Sequence, residues 1–227
     1  MSEQAKVEQR AVRRKVEVRE AKEPGKAATL VGYAAVFNAE SHDIGFREVI
    51  QPGAFKRSLE AGTDVLALVE HDRAMIIGRR SNGTLRLEED QTGLRYEVDV
   101  PDTQVGRDIL TNVRMGNVAG SSFGFRTQRD RWEFNYDDPS KDKRTLIDVD
   151  LYDVGPVAEP AYPDTSVAAR SRAEARSRQG ARSQGEAKTD QDAPAAKPGE
   201  PKPDEPKPET LSPDEALELD IKIEAAH

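Results

Sequence analysis

Three histidines occur in the 227-residue chain, His42, His71 and His227, and histidine is the side chain best suited to moving a proton near neutral pH. His227 is the last residue and His42 sits in the polar run Glu40-Ser41-His42-Asp43, which leaves His71. Asp64–His71 places Val65, Ala67, Val69 and His71 in one phase, so His71 is expected to end a strand at the edge of the core. A histidine so placed is most often a hydrogen-bonded structural group. Asp153 gives it a second prospect. Within the expected strand Thr145–Val154 it continues the phase of Ile147, Val149 and Leu151, where an unpaired carboxylate would be costly. It therefore needs a partner. A guanidinium would make a plain ion pair, whereas an imidazole would have its tautomer fixed for general-base work. The third element is Gly120-Ser121-Ser122-Phe123-Gly124-Phe125, whose glycines admit the close approach of another backbone. A serine hydroxyl becomes a useful nucleophile only with a base in reach. Taken alone, the run is more often a turn at a strand start, and it does not choose between its two serines.

The elements that must position these groups are short strands. Thr29–Phe37 is almost continuously apolar, and Arg47–Ile50 reads as a short second strand. Pro52-Gly53 breaks the chain before a helical turn over Ala54–Glu60, with Phe55 and Leu59 inward. Ser81-Asn82-Gly83-Thr84 has the composition of a hairpin turn. It is followed by two half-buried antiparallel strands, Thr84–Glu88 and Leu94–Val100, and in the second Leu94, Tyr96, Val98 and Val100 alternate with Arg95, Glu97 and Asp99. Asp102 or Thr103 can cap a helix over Gln104–Met115 with Val105, Ile109, Leu110 and Val113 on one stripe. Two further strands are expected at Ser121–Thr127 and Arg131–Tyr136. Many short strands with two helices predict a mainly β, α+β fold, a barrel or strongly bent sheet with helices packed outside.

Composition limits where that fold can lie. All 12 aromatic residues fall between Tyr33 and Tyr162, and half of the 14 prolines fall between Pro194 and Pro213. A tail without aromatics cannot build a second core. One domain of roughly 140 residues is expected, with polar extensions at both ends. The chain has no cysteine, which excludes disulfides, thiolate zinc sites and a cysteine nucleophile. No apolar run approaches the ~20 residues of a membrane span, and the charged N-terminus lacks the apolar core of a signal peptide. The body, residues 28–165, carries 16 basic and 24 acidic groups, which argues against specific nucleic-acid binding. The basic Ala/Arg/Ser stretch after residue 169 has no aromatics to stack bases, and the Pro-rich run behind it reads as an extended linker. Around Ser212-Pro213 the caps of a helix meet a period-two apolar pattern, so a short docking segment of undecided form is expected there.

The ordered motifs GYAAVFN (32–38), REVIQPGAFKRSL (47–59), LVEHD (68–72), GTLRLEEDQTGLRYEVDVPDT (83–103), GSSFGF (120–125) and LYDVGPVAEPAYPDTSVA (151–168) resemble the HK97-type prohead maturation proteases of tailed bacteriophages. The resemblance implies a fold similar to the herpesvirus assembly protease, a closed β-barrel with peripheral helices and disordered termini. It divides the chain into a charged extension (1–27), a prohead serine protease domain (28–168), a disordered linker (169–211) and a C-terminal docking segment (212–227). It further implies a serine endopeptidase with His71, Ser122 and Asp153 as catalytic residues and no metal or organic cofactor. Glu70 stands where the family commonly has Asn, and Asp153 where it often has Glu. Two donors must meet the oxyanion; the sequence does not identify them, although Arg114 and Arg126 are close to Ser122 in sequence. The implied partners are the major capsid protein with its scaffold-like segment and the chain itself, with no membrane and no specific nucleic acid. The implied place is the immature capsid in the bacterial host cytoplasm, and the lineage could equally be a phage, a prophage or a gene transfer agent. The alternative is a non-catalytic scaffolding or capsid-assembly protein of the same fold.

Overall fold

The computed structural model describes residues 7–21, 27–41, 44–118, 120–159 and 165–189. His42, His227, most of the expected linker and the segment 212–227 lie outside them. In chain order the elements are β1 (Glu8–Val12), β2 (Glu17–Arg19), β3 (Thr29–Val36), β4 (Arg47–Ile50), α1 (Lys56–Glu60), β5 (Leu66–Leu68), β6 (Ile76–Arg79), β7 (Leu85–Glu89), β8 (Gly93–Asp99), α2 (Gln104–Met115), β9 (Gly120–Glu133), β10 (Lys143–Val157) and α3 (Thr165–Thr189). The chain divides into Met1–Gln184, which holds every strand among the described residues, and Gly185–His227, of which the described residues are the end of α3. Among the described residues no helix is long and apolar enough to cross a membrane.

Alternation along the strands decides which side chains meet. One sheet runs β1-β9-β10-β5-β6, with β4 also paired to β10, and the other runs β2-β3-β8-β7. β9 is antiparallel to β1 and β10, while β4 and β5 lie parallel to successive parts of β10. The inward phases of the two sheets form one core. Leu30, Ala34, Tyr96 and Val98 come from one sheet and Phe123, Phe125, Leu146, Val149, Leu151 and Val154 from the other. Phe55, just before α1, fills the space between Phe37 and Phe123, with ring centroids 6.2 and 5.3 Å away.

The sheets do not close into the expected barrel. Among the described residues no strand of one sheet pairs with a strand of the other. The reason lies at Ser81-Asn82-Gly83-Thr84, which is a turn, with Gly83 at φ 78°, but not a hairpin. Thr84 Oγ1 accepts the Arg79 N–H at 2.8 Å, and its one proton faces Asn82 Oδ1 at 2.6 Å and the Arg79 carbonyl at 3.2 Å. One side chain thus satisfies the backbone where a ladder partner would be, and the chain turns the corner from β6 into the other sheet.

The two strands expected at Ser121–Thr127 and Arg131–Tyr136 are one strand, β9, because the 15-residue β10 offers a partner along its whole length. The ends differ from polar extensions as well. β1 and β2 belong to the sheets, and the stretch expected to be a linker from residue 169 is helical as far as Thr189. Alanine and arginine are strong helix formers, and no proline interrupts Thr165–Thr189. Ala168 packs with Ile44, Phe46 and Trp132, and Arg176 reaches the buried Asp142 at 2.8 Å.

Candidate active site

The pleat of β9 separates its two serines. Ser121 shares a face with Phe123 and Phe125, and its Oγ lies 2.9 Å from the buried Tyr96 hydroxyl of the other sheet. Burial pushes the Tyr96 phenol up and the Ser121 bond only partly offsets it, so this pair is a neutral link between the sheets. Ser122 and Gly124 point the opposite way. Ser122 Oγ is 2.5 Å from His71 Nε2 and also donates to the Arg10 carbonyl at 2.8 Å.

Asp153 arrives on that face through a bulge. Leu151 pairs with Phe125 and Val154 with Phe123, while the register shift between Leu151 and Asp153 sets Asp153 opposite Gly124. The expectation that Asp153 shares the phase of Leu151 is therefore corrected: the extra residue carries its carboxylate out of the core. Gly124 makes the room. A Cβ there would lie 2.4 Å from Asp153 Oδ2. Asp153 Oδ1 is 2.5 Å from His71 Nδ1, and the two side chains are only 13% and 14% exposed.

His71 does not end a strand. β5 stops at Leu68, and Glu70 and His71 both adopt left-handed backbone, at φ 53° and 58°. Such conformations cost energy in non-glycine residues and persist only where the surroundings enforce them. Here Glu70 donates its N–H to the Pro156 carbonyl at 3.2 Å, and its Oε1 accepts the Ala158 N–H at 2.5 Å. Both bonds tie the turn to the end of β10. Gly155 lets that strand approach, since a Cβ on it would sit 1.7 Å from the Leu68 carbonyl oxygen.

The three residues thus come from β9, β10 and the turn after β5, and they form one line. A carboxylate only accepts, so His71 Nδ1 carries the proton and Nε2 is left bare toward Ser122. Arg114 and Arg126 are not joined to this line. Arg114 is bonded to Glu20 at 2.7 Å, and the Arg126 guanidinium lies 5.4 Å from the centroid of the Tyr152 ring. Sequence reasoning missed a neighbouring cluster on the inner face, where Glu8, Arg10, Glu48 and Arg144 are mutually paired. Its signal was available as charged residues at alternate strand positions, which reads equally well as a solvated edge.

A serine hydroxyl, an imidazole and a carboxylate bonded in sequence form the working set of a serine hydrolase. The chain belongs to the caudovirus prohead serine protease family, whose model matches residues 14–179. It is a serine protease of capsid maturation, as the sequence motifs imply. No curated protein matches the chain. Among solved structures, the bacteriophage T4 capsid assembly protease gp21 is similar at 10% identity and a TM-score of 0.49, covering 68% of this chain and 98% of that one.

Proposed function

We propose that Ser122 is the nucleophile of this protease, His71 its general base and acid, and Asp153 the group that orients His71. The substrates in this reading are the major capsid protein with its scaffold-like segment, and the chain itself, inside the immature capsid in the host cytoplasm. The observation that carries the assignment is the unbroken pair of bonds from Ser122 Oγ through His71 to Asp153. As Oγ attacks the scissile carbonyl carbon, its proton passes to Nε2 and the carbonyl oxygen takes the negative charge. Asp153 stabilises the imidazolium that results. Collapse of the tetrahedral intermediate breaks the C–N bond, and Nε2 returns the proton to the leaving amine. Water then enters by the same route and releases the acyl group from Ser122.

Co-expression with the capsid subunit tests this by the masses of both chains. Wild type shortens the subunit, and Ser122→Ala leaves it full-length, a loss of roughly 10³-fold or more in rate. Identical uncleaved products from wild type and Ser122→Ala would sink the assignment. Ser121→Ala retains cleavage but loses about 1–3 kcal/mol of stability, because it strands the buried Tyr96 hydroxyl.

A further inference from the structure

The family model begins at residue 14, yet the residues before it reach the candidate nucleophile. β1 pairs along the edge of β9 with Ala11 opposite Ser122 and Arg10 opposite Phe123. The Ser122 hydroxyl has one proton and two acceptors in reach, His71 Nε2 and the Arg10 carbonyl. The bond to Arg10 is the wrong way round for attack, which needs the carbonyl carbon toward Oγ and the oxygen turned to donors of its own. With β1 in place Ser122 is 3% exposed.

Side chains anchor this strand on the inner face. Arg10 donates to Glu48 Oε1 at 2.6 Å and to Glu48 Oε2 at 3.1 Å, and Glu8 accepts from both terminal nitrogens of Arg144, at 2.7 and 3.1 Å. Arg144 keeps Glu48 at 3.2 Å and Asp130 at 2.7 Å, so the receiving half of the cluster stays paired when the strand leaves. What β1 would leave behind is a sheet edge beside Ser122 with the Glu48 carboxylate that held Arg10 and, opposite it on β10, the Arg144 guanidinium that held Glu8, two residues earlier on β1. That edge fits an extended peptide, bound by backbone pairing and selected at alternate side chains.

We propose that β1 is a self-supplied occupant of the substrate-strand site: it holds Ser122 closed, and the peptide to be cut replaces it on β9 with a basic side chain against Glu48 and an acidic one two residues earlier against Arg144. The closure of Ser122 rests on the reading of that residue as nucleophile; the exchange of strands on β9 does not. Tethering gives β1 an effective concentration of about millimolar, so a free peptide competes only when the anchor is weakened or the strand has been cut away.

The test uses the full chain carrying Ser122→Ala, so that nothing is cut, and a fluorescent peptide of sequence Val7-Glu8-Gln9-Arg10-Ala11-Val12-Arg13. Arg10→Glu in the protein sets like charges together and loosens its own strand; Arg10→Ala is the milder variant if the first unfolds, and amide exchange in β3 and β8 reports whether it has. The peptide is expected to bind the loosened chain at least about 10-fold more tightly than the Ser122→Ala parent, and to slow exchange at residues 121–125. A peptide with Glu in place of Arg10 should fail to bind. Equal binding to both proteins, or of both peptides, overturns the proposal. In chains that keep Ser122, a fluorophosphonate should label it about 10-fold faster in Arg10→Ala than in wild type, in proportion to the open fraction. Equal labelling overturns the closure. Peptide exchange with no labelling of Ser122 in any chain removes Ser122 as nucleophile and leaves the docking site standing.

Discussion

In the proposed mechanism Asp153 orients His71 through one short bond, and the sign of that bond matters more than its presence. In Asp153→Asn an amide replaces the acceptor, and an N–H facing Nδ1 would favour the tautomer whose proton lies on Nε2. Nε2 could then no longer take the Ser122 proton. Cleavage of the capsid subunit should fall by about 10²- to 10⁴-fold with the melting temperature little changed, which initial rates and calorimetry would show together. Normal rates would take Asp153 out of the mechanism. That His71, Ser122 and Asp153 would lie together was within reach of the sequence, since the motifs around them resemble a known family. Orientation was not. The strand phase that set Asp153 beside Leu151 fails at a bulge, and a bulge adds one residue without a sequence mark such as Gly or Pro to announce it.

At the scale of elements, the site depends on how closely the turn after β5 approaches β10. Gly155→Ala would drive a methyl group into the Leu68 carbonyl and force β5 and its turn away. We expect a loss of about 1–3 kcal/mol in urea unfolding with an unchanged slope, together with a clear fall in cleavage rate. Phe55→Ala, remote from the chemistry but fully buried between two rings, should cost about 3–5 kcal/mol while sparing the rate of the molecules that stay folded. Elements whose boundaries are coded locally were legible. α2 runs over Gln104–Met115 as expected, because Thr103 caps the Gly106 N–H and Gly116 ends it at φ 78°. β9 was read as two strands because its middle, Thr127–Asp130, carries no apolar alternation; what keeps that stretch extended is the long partner beside it.

At the largest scale, the unit Met1–Gln184 has its two sheets joined by a core and by the Tyr96–Ser121 bond, and each sheet carries carboxylates held ionised within it. The Arg86 hydrogen bond, outweighing burial, holds the Asp99 carboxyl below its ordinary range. Burial pushes the Glu8 carboxyl up, but the Arg144 hydrogen bond and the charges of Arg144 and Arg10 together hold it lower still. A carboxylate depressed by folding adds stability above its unfolded pKa, and that stability is lost as pH falls through the folded value. Urea midpoints should therefore drop below the ordinary carboxylate range. Glu8→Gln should flatten part of that slope, and an unchanged slope would show that Glu8 contributes nothing to it. At this scale the sequence located the body, through its aromatics, but not its closure. Whether strands form a barrel or two sheets turns on a corner such as Thr84, where one hydroxyl does the work of a neighbouring strand.

Two adjacent serines with the same side chain invite a mistake that the fold forbids. If β9 slipped by one residue against its neighbours, Ser121 would stand at His71, and a hydroxyl would still be in place. The same slip would turn Phe123 and Phe125 out to water, at about 3–6 kcal/mol for the pair. On the reading of Ser122 as nucleophile, two phenylalanines with no chemistry of their own thus decide which serine faces His71, because a misregistered chain would forfeit their burial.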